Sequence, residues 1–62
     1  MKLLRMAKRL RFAVDVLHAI KVERKRIETA QYLGSTYAET YHRGVLDALL
    51  MIERELNGLE DQ

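Results

Sequence analysis

The chain has 62 residues, no cysteine, no proline and a formal net charge of +2. That length allows one small domain and no separate catalytic domain, and the missing thiols exclude disulfides and cysteine–zinc sites. So short a chain buries little by itself, which leaves association as its means of gaining a larger core.

The first stretch, "MKLLRMAKRLRF", is basic: Lys2, Arg5, Lys8, Arg9 and Arg11 occur with no acid among them. Residues 1–26 carry a net +7 and residues 27–62 a net −5, so a folded-back chain sets opposite signs along its edges. Leu3, Met6, Leu10, Ala13, Leu17 and Ile20 recur in three- and four-residue steps, widened by Ala7 and Val14. This spacing predicts an amphipathic helix with that stripe inward. The basic residues fall on the opposite side and should face water. A secretory signal fits badly, because Asp15 and His18 interrupt the apolar stretch after the basic start. An organelle transit peptide fits no better, because the helical pattern continues without a break. The longest apolar run, Ala48 to Ile52, is far short of the ~18 residues of a membrane span. The expected location is the cytoplasm, with no membrane partner.

In "LGSTYAE", Gly34 can end the first helix. Thr36 followed by Glu39 reads as a capping box, with Ser35 a competing N-cap. The first helix is therefore placed at about residues 2–33, the turn at 34–35 and the second helix at about 36–57. The alternative break lies in "KVERKRIE", where Lys21 and Arg24 interrupt the apolar stripe. In the second helix Tyr37, Tyr41, Val45, Ala48, Ile52, Leu56 and Leu59 form a stripe, with Leu49 beside it. Asn57-Gly58 suits a helix end, leaving 58–62 as a frayed tail. Gly44, inside the helix, is read as permitting close packing against a neighbour, and Tyr32 as an exposed contact. The fold class is all-α: a two-helix antiparallel hairpin forming a single domain over 1–62.

Each helix also has apolar residues off its main stripe: Phe12 and Val16 on the first, Leu46 and Leu50 on the second. One hairpin has one mutual face and cannot cover both sets. These four residues are the expected oligomer interface. Two hairpins side by side make an antiparallel four-helix bundle, a closed and symmetric arrangement.

In size and plan the chain resembles the ROP-type plasmid regulators, short helical hairpins that dimerise into a bundle and bind an RNA pair. The resemblance is architectural and carries over no functional residue. The segment "YHRGVLDALLMIERELNG" is similar to the C-terminal helices of many short phage proteins, through Tyr41, Gly44, Ala48 and Leu49. That similarity implies a viral or mobile-element origin and no particular activity.

Two acid-x-x-His pairs, Asp15/His18 and Glu39/His42, have the spacing with which ferritin-like bundles hold metal. On a helical wheel both lie off the core stripes, and no inward-facing glutamate completes a ligand set. No metal, cofactor or catalytic residue is assigned. Gly34, Gly44 and Gly58 are isolated, so there is no phosphate-binding loop, and Ser35 is a turn residue. The expected protein is non-enzymatic: a homodimeric helical regulator that binds and modulates an unidentified protein. The alternative is a small nucleic-acid-binding regulator. In either case the face around Lys2, Arg5, Lys8, Arg9 and Arg11 meets the acidic protein or the phosphates.

Overall fold

The computed structural model describes residues 2–60, and side chains for residues 2–58. It contains two helices, α1 (Lys2–Leu33) and α2 (Thr36–Glu60), packed on each other as a hairpin. The molecule measures 49 × 17 × 12 Å. Its length is that of α1 alone, since 32 residues at ~1.5 Å each span about 48 Å. No helix among the described residues is long and apolar enough to cross a membrane.

Two residues make the reversal. Gly34 has φ +72°, a left-handed conformation that a side chain resists. Its N–H bonds to the Gln31 carbonyl at 3.2 Å, and the Ser35 N–H bonds to the Ala30 carbonyl at 2.9 Å. These are the two bonds of a Schellman cap, and they satisfy carbonyls that the end of α1 would leave unpaired. Ser35 then starts α2: its Oγ accepts from the Ala38 N–H at 3.3 Å and its carbonyl from the Glu39 N–H at 3.0 Å. Ser35 is thus the N-cap, and the Thr36–Glu39 capping box does not form. The Glu39 carboxylate instead accepts bonds from Gln31 and Arg43.

The α1 face that meets α2 differs from the expected one. Its buried residues are Val16, Ile20, Glu23, Ile27 and Ala30, a seam in steps of four and three. The expected inward stripe is largely outside: Leu3 is 82% exposed, Leu10 64% and Leu17 55%. Leucine content suggested the wrong seam, and the acid at Glu23 concealed the right one. On α2 the residues turned toward α1 are Ala38, His42, Val45, Leu46, Leu49, Leu50, Glu53 and Leu56, all half-buried. Tyr37, Tyr41, Ala48 and Ile52, expected in its core stripe, are exposed; Leu59 lies outside the described side chains. α2 also continues through Asn57-Gly58 to Glu60, because Gly58 keeps a negative φ and helix is the default without a left-handed residue to stop it. Of the expected frayed tail, 61–62 lie outside the described residues.

Candidate interaction surface

α1 carries two apolar seams that differ in position along the helix as well as in direction. The inner seam begins at Val16. Before it, from Lys2 to Asp15, no described residue is buried, and Ala13 alone is half-buried. The N-terminal half of α1 therefore adds little to the hairpin core, yet it holds Leu3, Met6, Ala7, Leu10, Ala13, Val14 and Leu17.

Contacts across the hairpin orient these residues. Glu23 and His42 touch at the centre of the mutual face, and Gln31 and Glu39 touch along one flank. At about 100° per residue, Met6, Ala13 and Leu17 lie within about 40° of the Gln31 direction, Leu10 within about 60°, and Leu3, Val14 and Ala7 about 80–120° round toward the face away from α2. Leu46 and Leu50 lie within about 20° of Glu39 on the same wheel geometry. One side of the hairpin thus carries an apolar strip along α1, with two half-buried leucines of α2 beside its Leu17 end.

The four residues expected to share a second surface are dispersed. Val16 is 5% exposed and is occupied inside the hairpin. Leu46 and Leu50 sit at the edge of the mutual face, half-buried. Phe12 is 51% exposed but lies about 160° around α1 from Leu10. The outer strip has the 3–4 spacing that the sequence shows, but it faces outward where the periodicity places it inward.

Lys2, Arg5, Lys8, Arg9 and Arg11 are all exposed. Lys2, Arg5, Lys8 and Arg9 line a shallow groove with Met6 and Phe12. Arg5 and Lys8 point about 140–160° away from Leu10, so the strip can be covered without burying them, while Arg11 borders its Ala7–Val14 edge.

The polar centre of the hairpin is a chain of three side chains. Glu23, 7% exposed, accepts from His42 Nδ1 at 2.6 Å and from Arg26 at 3.0 Å. A glutamate does therefore face inward, and His42 turns toward it, contrary to the wheel reading. Burial of the carboxylate is tolerated because each oxygen has a charged or N–H partner. Among the described residues, no group of three or more His, Cys, Asp or Glu side chains could hold a metal ion. The same helical turn carries Tyr41 edge-on to the His42 ring, centroids 5.1 Å apart. Tyr32 and Tyr37 are exposed beside the turn.

Comparison with known protein families, curated proteins and solved structures finds no match to this chain.

Proposed function

We propose that the protein is a non-enzymatic, cytoplasmic helical regulator that pairs with a second copy of itself and, as a dimer, binds and modulates another protein through its basic N-terminal face. The observation that carries this reading is the strip of Leu3, Met6, Leu10, Val14 and Leu17, every one of them at least half exposed. Apolar side chains at helical spacing along a single face mark an interaction surface more strongly than scattered exposed leucines do. Covering one such side chain is worth about 1.5–3 kcal/mol, which matters to a domain stable by only about 5–15 kcal/mol.

Sedimentation equilibrium of the full chain at 1–100 µM (about the range in which such interfaces operate) tests the pairing. A dimer is expected, with Leu10→Asp shifting it to monomer while helix content persists. A folded 7.3 kDa species that fails to associate across the range overturns the proposal. Affinity capture from cell extract, with and without nuclease, tests the partner. Retention of a bound protein after nuclease supports it.

A second reading, binding of nucleic acid, is favoured by the five exposed cations near one end of α1. It requires mobility shifts with DNA or RNA that weaken steeply with salt and disappear when Arg5, Lys8 and Arg9 become Glu. Absence of binding at low salt removes it.

A further inference from the structure

The outer strip of α1 has a symmetry that the inner seam lacks. Its members are Leu3, then Met6 and Ala7, then Leu10, then Ala13 and Val14, then Leu17. Replacing each number i by 20 − i returns the same set. Leucine falls on leucine, and the Met6–Ala7 pair falls on the Ala13–Val14 pair. In an isologous contact a residue that touches a second one is touched by its equivalent in return, so a strip that maps onto itself lets two copies cover all of its members at once, leucine against leucine.

We infer that two copies pair through this strip, with their α1 helices antiparallel and the two-fold axis passing beside Leu10. The inference rests on the dimer reading above and specifies its geometry. Leu10 meets Leu10 of the second copy, Leu3 meets Leu17, and the two-residue layers meet one another. Three leucine layers alternate with narrower ones, as knobs need holes. Leu46 and Leu50 stand beside Leu17 on the same side of the hairpin, where they extend the contact over the incoming Leu3. The strip stops where Lys21 and Arg24 replace apolar residues, so the overlap covers only the open halves of the two hairpins.

Charge does not prevent this register. Residues 2–17 are net +4, but Arg5 and Lys8 project away from the strip, and Arg11 flanks its Ala7–Val14 edge, where its long side chain reaches water. At physiological salt, exposed charges beyond about 8 Å are largely screened. The alternative dimer lays α1 over the partner's α2 with both turns at the same end. It improves the charge pairing but sets Leu10 near Arg54 and Asn57, and it forfeits the leucine layers.

The two geometries differ in length. With the axis at Leu10, each turn lies 24 residues away, so the two turns are about 70 Å apart at ~1.5 Å per residue. With the turns together they lie within about 35 Å, a few helix diameters of ~10–12 Å. The described chain has no cysteine, so single thiols can be placed cleanly. Oxidation of Leu10→Cys is expected to give a covalent dimer. Leu3→Cys alone should not crosslink, whereas its mixture with Leu17→Cys should. A spin label on Tyr37→Cys, exposed beside the turn, should report the longer distance. Self-crosslinking of Leu3→Cys in preference to the mixture, or a turn-to-turn distance under 35 Å in a dimer, overturns this geometry and leaves the dimer reading intact. A monomer in sedimentation together with absence of any crosslink removes both.

Discussion

His42 Nδ1 lies 2.6 Å from Glu23 Oε2, joining positions 19 residues apart across the hairpin. The imidazole N–H donates and the carboxylate accepts, while Arg26 holds the other oxygen. Removing one partner leaves a buried polar group unmet, a loss of about 1–3 kcal/mol. His42→Ala and Glu23→Ala should each lower the urea midpoint by that order. The double-mutant cycle should show a coupling of about 0.5–3 kcal/mol. Replacing both by leucine should be neutral or stabilising, because a well-packed apolar pair avoids desolvating the carboxylate. A stability equal to the sum of the two single alanine losses, with no coupling, would show that the contact contributes nothing.

Val16 and Leu17 are neighbours in sequence with opposite surroundings, 5% and 55% exposed. Val16→Ala removes two methyl groups from the hairpin core and should cost about 1.6 kcal/mol, at ~0.8 per methylene equivalent. That loss should be present at every protein concentration. Leu17→Ala should leave the folding of a single hairpin nearly unchanged and weaken self-association instead, so its effect on thermal unfolding should grow with concentration. Thermal scans over a hundredfold concentration range distinguish the two. Equal, concentration-independent losses would place Leu17 in the core.

The glycines make a second contrast. Gly34 sits at φ +72°, so Gly34→Ala should destabilise the hairpin by about 1 kcal/mol through left-handed strain. Gly44 lies inside α2, and a methyl group added there meets nothing within 4 Å. The close packing expected at Gly44 is therefore absent within the hairpin. Gly44→Ala should stabilise by up to about 1 kcal/mol, the helix-propensity difference. Loss of stability at Gly44→Ala would indicate a neighbour pressed against that face in solution.

Glu39 accepts from Gln31 and from Arg43, and these bonds, that to Gln31 first, hold its carboxyl below the usual carboxylate range. A depressed folded pKa contributes stability that is present above the unfolded value. The contribution is lost as pH falls through the folded one. Melting temperature should therefore fall on acidification below about pH 4.3, the ordinary value of a free glutamate. Glu39→Gln should flatten part of that fall while leaving the neutral-pH helix content unchanged. An identical acid profile in the variant would rule out Glu39 as a source of the slope.

Much of the architecture was legible before any coordinates. Gly34 and Ser35 mark the reversal because the left-handed position and the N-cap are local chemistry, decided within five residues. The pairing of faces was not legible in the same way. Leu3, Leu10 and Leu17 share a regular 3–4 spacing with Ile20, so a stripe judged by apolar periodicity joins them, although only Ile20 is buried. The true seam contains Glu23, whose partner, His42, is on the other helix and cannot be inferred from α1 alone. The stop signal at Asn57-Gly58 failed for a related reason: that dipeptide permits a left-handed exit without requiring one. The basic face was readable as exposed because five cations with no acid among them stay in water even beside apolar neighbours.

Ser35 lies between the helices and caps both, as the final link of one cap and the first of the next. A two-residue reversal closes almost no loop, so little chain entropy is lost before the helices meet. Contacts can then form in order from the bend outward, a topology of local closures that folds on the microsecond-to-millisecond scale. On that order the mouth of the clip would zip last and open first. It is also where the unclaimed leucines and the cations reside, so the end that gains least from folding alone has most to gain from meeting something else.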